Sequence, residues 1–328
     1  MKRIIVGVLA LMAISCSQNT KKFSLNGKTN GLKDGTILLM KVDGQVIDSA
    51  EITNNSFEFH TKLPQSPMEV ELGTKDGSQY RYLWLENNPM TLDATHSDLR
   101  KADVSGSENE DLSELLSKRT DTIPRHKRHK YRIELISDNP DKLFSAYLLS
   151  FYATTWGKET TEKLFSQFSE ENKNSRFGKS ISKFIDLYQE PQIGEKYIDF
   201  EMTDNFGKKR KLSEFDGKLV LLEFWASNCG PCIQENPNLV KTYNEFQPKG
   251  FEIFAVSEDY KKDNWLKAIE KDKLPWTQVS ELSKKNTAFM IYGVSGIPDN
   301  FLIDQNGTII ARNIKGQKLK DKLNELLN

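Results

Sequence analysis

Two cysteines separated by two residues are the side chains of this sequence best suited to chemistry. The motif Cys229-Gly230-Pro231-Cys232 directly follows the apolar run 219–226, which has the composition of a buried strand. The motif therefore lies where a strand passes into a helix, and the free N–H groups and dipole of a helix N-terminus stabilise a thiolate. This placement predicts a redox-active pair in which Cys229 is the reactive thiol. Pro231 suits the first helical turn, because its missing N–H is not needed there.

The cysteine count narrows the chemistry of this pair. The chain of 328 residues has three cysteines, and the third, Cys16, lies near the N-terminus. A zinc site would need two further Cys or His ligands at suitable spacing, but the four histidines all precede residue 130. A purely structural disulfide would close an unusually short loop for that purpose. Both alternatives stay open at this point, but thiol–disulfide exchange is favoured, and we expect no metal or other cofactor.

Two acidic residues could move protons for these thiols. Glu223 interrupts the apolar run six residues before Cys229, so its carboxyl group would be buried and would have to be paired or protonated. A raised pKa would let Glu223 accept a proton from Cys232. Glu235 follows Cys232 by about one helical turn and could serve the same step. The alternative for each is a surface acid in contact with solvent, the usual state of a glutamate.

The elements that position the motif alternate between strands and helices over residues 191–328. After the motif, the pattern predicts a buried parallel strand at 250–258, a helix through 265–270, strands at 300–304 and 308–312, and a closing helix at 318–327. The most informative motifs are Gly217-Lys218, Phe224-Trp225-Ala226-Ser227, Cys229-Gly230-Pro231-Cys232, Glu235 with Pro237, Gly296-Ile297-Pro298, and Phe301-Leu302-Ile303-Asp304 with Gly307. On these motifs the region resembles the TlpA/ResA-like branch of the thioredoxin superfamily.

The resemblance implies an α/β thioredoxin-like fold, with a central mixed sheet flanked by helices. It implies a cis peptide bond before Pro298 and a substrate peptide that binds along the strand edge at Ile297, beside the disulfide. Trp225, Gly230 and Pro231 complete the implied set of substrate-binding residues.

The two acids also have counterparts in the resemblance. Glu223 matches the buried acid of thioredoxin in position, and Glu235 matches an acid characteristic of the ResA-like group. Their implied task is to take the proton of Cys232 when that thiol attacks the mixed disulfide.

Residues 106–190 have helical periodicity and form a predicted helical connecting region. Apolar side chains recur at intervals of three and four residues, as at Leu143, Tyr147 and Phe151. Stripes of this kind ordinarily pack against a core, so we interpret them as structural.

Residues 23–105 show short β-prone runs separated by turn signals. Asp43-Gly44 between two such runs is a strong hairpin signal, and Asn54-Asn55 marks another turn. The pattern predicts a small antiparallel all-β sandwich. In strand pattern and in its position ahead of the redox region, it resembles the DUF4369 domain that precedes thioredoxin-like domains in Bacteroidetes lipoproteins.

The N-terminus has the pattern of an export signal. Two basic residues precede an apolar stretch over residues 4–14, which is too short to span a bilayer. Cys16 follows Ala13-Ile14-Ser15, an arrangement that resembles the lipobox of bacterial lipoproteins. The resemblance implies a signal peptide at 1–15, a lipidated Cys16 and a tether at 16–22, hence a periplasmic or cell-envelope protein held to the membrane by its lipid. An ordinary signal peptide cleaved nearby is the alternative.

Charge and composition argue against a nucleic-acid partner. Basic and acidic residues number 46 each, so the chain has no basic excess. We interpret the short basic cluster 125–132 as a solvated helix face, with a phosphate or lipid-headgroup patch as the alternative.

The function that follows is thiol–disulfide exchange outside the cytoplasm. Reduced Cys229 would attack a disulfide of an extracytoplasmic protein, and Cys232 would resolve the mixed disulfide. Gly-Pro between the cysteines matches thioredoxin, whose potential of roughly −270 mV favours the reductase direction. The resemblance implies a membrane thiol transporter as electron donor, and apocytochrome c, in cytochrome c maturation, as one substrate class.

Two other functions compete with this hypothesis. A thiol peroxidase of the AhpC/TSA type would reduce peroxides, normally with a lone peroxidatic cysteine in a Thr-x-x-Cys setting that this sequence lacks. A non-catalytic ligand-binding lipoprotein would use the β domain, with the redox domain as an auxiliary part.

Overall fold

The computed structural model describes residues 22–283 and 286–327. The chain divides into two compact units, Met1–His129 and Lys130–Asn328. The predicted signal peptide, Cys16 and the predicted tether up to residue 21 lie outside the described residues. The boundaries predicted at 105/106 and 190/191 stay predictions.

The described part of the first unit holds two four-stranded sheets. Its strands are β1 (Ser24–Thr29), β2 (Ile37–Val42), β3 (Gln45–Glu51), β4 (Ser56–Phe59), β5 (Met68–Thr74), β6 (Tyr80–Leu85), β7 (Pro89–Ala94) and β8 (Asp103–Ser105). The strand orders are β4-β1-β7-β8 and β3-β2-β5-β6. One buried cluster contains residues of both sheets, such as Leu25 and Leu38. The two sheets therefore share a core, as the alternating pattern predicts.

Strand pairing in this unit is confirmed at the hairpin and differs from prediction at β1. Asp43 and Gly44 connect β2 to β3 with φ angles of 48° and 83°, and a type I′ turn requires positive φ at both residues. By contrast, β1 pairs with β7 in parallel, although we predicted an antiparallel sandwich. The connection through residues 30–88 is long enough to return the chain to the same end of the sheet, which a tight hairpin cannot do.

A helix closes the first unit against one of its sheets. Helix α1 (Glu108–Thr122) begins after Ser107, whose hydroxyl accepts a hydrogen bond from the Glu110 N–H at 3.1 Å. The Glu110 side chain is 2% exposed, and its carboxylate accepts hydrogen bonds from the Arg81 guanidinium and, at 2.8 Å, from the Trp84 N–H. Both partners lie on β6. The hydrogen bonds of Glu110 therefore hold α1 against the sheet.

The predicted helices begin at the boundary of the second unit, since the first of them starts two residues before Lys130. They are α2 (Arg128–Asp138), α3 (Leu143–Ser166), α4 (Glu170–Asn174) and α5 (Arg176–Leu187). The predicted packing role is wrong for Phe151, which is 60% exposed although Leu143 is buried. Each four-residue step overshoots a full helical turn by about 40°, so a run of such steps drifts off the buried face.

A seven-stranded mixed sheet forms the centre of this unit. The strands of the sheet and the helices between and after them are, in chain order, β9 (Glu201–Asp204), β10 (Lys209–Lys211), β11 (Leu219–Trp225), α6 (Gly230–Phe246), β12 (Phe251–Ser257), α7 (Lys262–Asp272), β13 (Thr277–Ser280), α8 (Thr287–Ile291), β14 (Asp299–Ile303), β15 (Ile309–Arg312) and α9 (Gly316–Leu327). The order is β10-β9-β13-β12-β11-β14-β15, with β11, β12 and β13 mutually parallel. This is the α/β thioredoxin-like architecture that the resemblance implies.

The central strand β11 faces two cores at once. All seven of its residues are buried, and alternate side chains enter different clusters. Leu222 and Phe224 pack with α8, whereas Leu221 and Trp225 pack with α6, α7 and α9. Because side chains alternate along a strand, Glu223 lies on the face of Leu221 and Trp225, the face that α6 covers.

Candidate active site

The two cysteines of the motif form a disulfide at the start of α6. Cys229 is the N-cap of this helix, and its Sγ accepts a hydrogen bond from the Cys232 N–H at 3.2 Å. Cys229 is 8% exposed and Cys232 2%, whereas Gly230 and Pro231 between them are exposed. The helix N-terminus and this N–H would stabilise a thiolate on Cys229. The sulfur of Cys229 is thus the more accessible and the better supported of the two.

Glu223 lies buried on β11, six residues before Cys229. It is 7% exposed, and its cross-strand neighbours are Asn300 on β14 and Ala255 on β12. Burial raises the pKa of Glu223 to about 8, a rise that the Asn300 hydrogen bond and the Lys315 charge oppose and that nearby carboxylates reinforce. Glu223 is therefore not a solvated surface acid, and with the disulfide closed it holds a proton at neutral pH.

Glu235 occupies a different environment. It is half-buried on α6, and its Oε1 accepts hydrogen bonds from the Gly316 N–H at 3.1 Å and from Asn238 Nδ2 at 3.0 Å. The carboxylate thus connects α6 to the first residue of α9. These contacts give Glu235 a structural task in addition to any chemical one.

The segment at Pro298 has the expected backbone and several unexpected supports. The bond Ile297–Pro298 is cis, as the resemblance implies, and both residues are partly exposed. Ile297 packs against the core cluster that contains both cysteines. The Pro298 carbonyl accepts a hydrogen bond from Lys315 Nζ at 2.9 Å, and Arg312 binds the next side chain, Asp299, at 2.9 Å. These contacts fix the backbone of the segment, and Ile297 connects it to the cluster that contains the disulfide.

Trp225 lies beneath the site and not on its surface. The side chain is 2% exposed, and its indole N–H donates to Gln278 Oε1 at 3.0 Å. A side chain so placed supports the motif from the core.

Sequence reasoning did not find Asp259, which holds the loop before Cys229. Asp259 follows β12 and is 8% exposed. Its carboxylate accepts hydrogen bonds from the Ser227 N–H at 2.8 Å, from the Ser227 hydroxyl, and from Ser257 Oγ at 2.7 Å. The sequence did hold one signal for Asp259: it comes just after the carboxyl end of a predicted parallel strand, where sites of α/β proteins commonly lie.

Asn300 and Lys315 were also missed. Asn300 is a buried polar residue at the start of an apolar strand, the same kind of signal that singles out Glu223. Lys315 carried no such signal, because it lies in a polar connection between β15 and α9.

The predicted lipidation site, Cys16, lies outside the described residues. Two further kinds of feature, membrane-spanning helices and metal sites, can be searched for in the described residues. No helix among residues 22–283 and 286–327 is both long and apolar enough to cross a bilayer. In the same part of the chain, no group of three or more His, Cys, Asp or Glu side chains could hold a metal ion.

Two parts of the chain match families of known proteins. Residues 193–312 match the AhpC/TSA family, and residues 23–113 match a domain of unknown function, DUF4369. The thiol-disulfide oxidoreductase ResA of Bacillus thuringiensis subsp. konkukian is 37% identical over 139 residues, which are 42% of this chain and 77% of that protein. ResA of Geobacillus thermodenitrificans is 33% identical over 135 residues, covering 41% and 76%. A solved thioredoxin domain of a thiol-disulfide oxidoreductase from Bacteroides vulgatus is 37% identical, covers 42% of this chain and 99% of that chain, and has a TM-score of 0.40.

Proposed function

Since this chain belongs to the family of ResA-like thiol-disulfide oxidoreductases, we propose that it reduces disulfides of extracytoplasmic proteins through Cys229 and Cys232. The observation that carries the proposal is the placement of the pair. Cys229 caps the N-terminus of α6, and the buried acid Glu223 lies on the strand face that α6 covers. The site thus combines a stabilised nucleophile with a proton acceptor.

The reaction has two exchange steps. The Cys229 thiolate attacks one sulfur of the substrate disulfide, which forms a mixed disulfide, breaks the substrate bond and releases a sulfur that takes up a proton. Cys232 then loses its proton to Glu223 and attacks Cys229 Sγ. The Cys229–Cys232 disulfide forms, and the second substrate sulfur leaves. The substrate gains two electrons and the protein loses two.

The reverse proton movement serves regeneration. When a donor dithiol opens the disulfide, Cys232 leaves as a thiolate and takes the proton back from Glu223. A carboxyl group with a pKa of about 8 holds that proton at neutral pH. In the oxidised protein, Glu223 can therefore donate a proton to Cys232 when the disulfide opens. Glu235 is the secondary candidate for this task.

The exposed rim of the site gives the substrate contacts. Gly230, Pro231, Ile297 and Pro298 are exposed or partly exposed, so they can meet a substrate peptide directly. We assign Trp225 a supporting role, because its ring is buried under the motif.

We infer the setting of the reaction from the pattern of the N-terminal sequence and from the family. A signal peptide at 1–15 and lipidation at Cys16 would place the protein in the periplasm or cell envelope. A membrane thiol transporter would return the electrons, and apocytochrome c is a substrate class, which makes cytochrome c maturation one pathway that the protein could serve. Detergent partitioning of wild type and Cys16→Ser tests the anchor, with loss of membrane association as the expected result.

Insulin reduction by the full chain tests the proposed chemistry. Wild type should accelerate reduction of insulin by dithiothreitol, Cys229→Ser should fall to the uncatalysed rate, and Cys232→Ser should accumulate mixed disulfides. Equal alkylation rates of Cys229 and Cys232 in the reduced protein would contradict the assignment of the nucleophile.

The same preparation distinguishes the two alternatives. Rapid consumption of hydrogen peroxide without insulin reduction would favour a thiol peroxidase of the AhpC/TSA type. Absence of both activities would favour a ligand-binding lipoprotein.

A further inference from the structure

A short connection between β15 and α9 contacts three parts of the site at once. Ile314 and Asn300 exchange two hydrogen bonds, Ile314 N–H to Oδ1 at 2.9 Å and Asn300 Nδ2 to the Ile314 carbonyl at 3.0 Å. The Gly316 N–H donates to Glu235 at 3.1 Å. Between these two fixed points lies Lys315, whose Nζ donates to the Pro298 carbonyl at 2.9 Å. The backbone on both sides of Lys315 is therefore anchored to β14 and α6.

The charges that face Glu223 come from three different elements. Asp299 on β14 and Glu235 on α6 contribute negative charge, and Lys315 contributes positive charge. The disulfide on α6 is neutral. Asp299 already binds Arg312 at 2.9 Å, and Glu235 already accepts two hydrogen bonds. The ammonium of Lys315 is thus the charge that favours the ionised form of Glu223.

We propose that Lys315 is a positioning residue of the thiol–disulfide reaction, which holds the Pro298 carbonyl at the substrate-facing edge and stabilises the carboxylate of Glu223. The inference rests on the proposed function for its chemical meaning. Lys315 touches neither sulfur in this proposal and acts through these two groups.

The role has a direct consequence for the resolving step. Glu223 becomes negatively charged when it takes the proton of Cys232, and a positive charge nearby lowers the cost of that change. Without Lys315, fewer molecules would have the carboxylate form at neutral pH. The resolving step would then need a higher pH to reach the same rate.

Three variants separate the charge of Lys315 from its hydrogen bond. Lys315→Gln keeps an amide donor for the Pro298 carbonyl but has no charge, Lys315→Met has neither, and Lys315→Arg keeps both. Lys318→Met is the matched control, because Lys318 is exposed on the same helix that Lys315 precedes.

Titration of Glu223 in the oxidised protein tests the electrostatic part without any need for turnover. Carbon-13 NMR of labelled glutamate carboxyl groups would follow the midpoint, with Glu223→Gln to assign the signal. We expect Lys315→Gln and Lys315→Met to raise the midpoint by about 1 pH unit, and Lys315→Arg and Lys318→Met to leave it within about 0.3 of wild type. An unchanged midpoint in Lys315→Gln would overturn the proposal, even if Lys315→Met fails to fold.

The pH dependence of mixed-disulfide resolution gives the second readout. The profile should move to higher pH in Lys315→Gln, with resolution about tenfold slower at pH 7, and Lys315→Arg should restore it. Equal slowing at all pH values would indicate a purely structural clamp and would overturn the role toward Glu223. If wild type fails to reduce any disulfide, the proposed function falls, whereas the NMR titration still decides whether Lys315 acts on Glu223.

Discussion

Each of the two units buries one glutamate among its described residues, and the partners of these glutamates differ. Glu110 in the first unit meets the Arg81 guanidinium and the Trp84 N–H directly. Glu223 in the second unit faces the Asn300 amide and the more distant charge of Lys315. Burial raises the pKa of both carboxyl groups, and the partners oppose it in both.

The difference shows what turns a buried acid into a structural or a reactive group. A guanidinium stays charged at all relevant pH values and offers a rigid set of donors, so it fixes a carboxylate in place. An amide and a lysine at longer range leave the carboxyl group able to gain and lose a proton near neutral pH. Both positions hold a glutamate in the sequence, and the residues around each glutamate determine whether it is structural or reactive.

Arg81→Met should produce the largest change, because it leaves the carboxylate of Glu110 buried without its charged partner. We expect the free energy of unfolding to fall by about 3–5 kcal/mol. Urea unfolding of the full chain measures this loss. Arg100→Met is the control, since Arg100 pairs with Asp98 on the surface and its loss should change the free energy of unfolding far less. A similar loss of unfolding free energy in both variants would contradict the structural role of the Arg81–Glu110 pair.

Glu223→Gln should stabilise the protein at alkaline pH. The folded carboxyl has a pKa of about 8 and the unfolded one about 4.5, so between these values the folded state keeps a proton that the unfolded chain has lost. Wild-type stability is therefore full below about pH 4.5 and falls as pH rises through 8. Glutamine removes this loss, with a gain on the order of 5 kcal/mol at pH 9.

Urea unfolding of Glu223→Gln and wild type at pH 5 and pH 9 measures that gain. Glu245→Gln, a change at an exposed position of α6, is the control variant in the same measurement. A constant difference between Glu223→Gln and wild type at the two pH values would mean that Glu223 does not titrate in this range.

The same substitution should slow resolution of the mixed disulfide. Glutamine cannot accept the proton of Cys232, so we expect a lifetime about 100-fold longer at pH 8. The wild-type rate should rise with pH and level off above about 8, where Glu223 is ionised. Acid-quenched mass spectrometry of a mixed disulfide with a model peptide measures both. An unchanged lifetime would show that water or Cys229 takes the proton.

Glu235→Gln should have the smallest effect of the four. Glutamine retains an oxygen that accepts from the Gly316 N–H, so stability should fall by about 1 kcal/mol or less. Resolution should change less than about threefold, as measured in the same quench experiment. A slowing equal to that of Glu223→Gln would make the two acids partners in one proton path.

Strong local signals made much of the second unit predictable. The continuous apolar run of β11 and the motif after it predicted a strand, a helix and the thiol pair at their junction. Strand β13 was missed, because Gln278 and Ser280 interrupt it with polar side chains. They are buried because the first accepts from Trp225 and the second donates to the carbonyls of Ser257 and Asp259. Those partners are distant in sequence.

The candidate site was predictable to the extent that its residues interrupt a pattern. Glu223 stands out in an apolar strand, and two cysteines stand out at a helix start. Lys315 and Asp259 are ordinary polar residues in connections, and they reach the site because β14 and β12 flank β11 in the sheet. That order is a property of the whole fold, which no local window contains.

The interior position of β1 gives the first unit a mechanical property. The strand begins at Ser24 and lies between β4 and β7, with Leu25 opposite both Phe59 and Met90. Tension on the N-terminal end of the chain would pull β1 along its length, across hydrogen bonds that are perpendicular to the strand toward β4 and slanted toward β7. Two ladders would then carry the load together, whereas an edge strand would have a single ladder. A chain held at a surface by its N-terminus would be protected in this way against stretching.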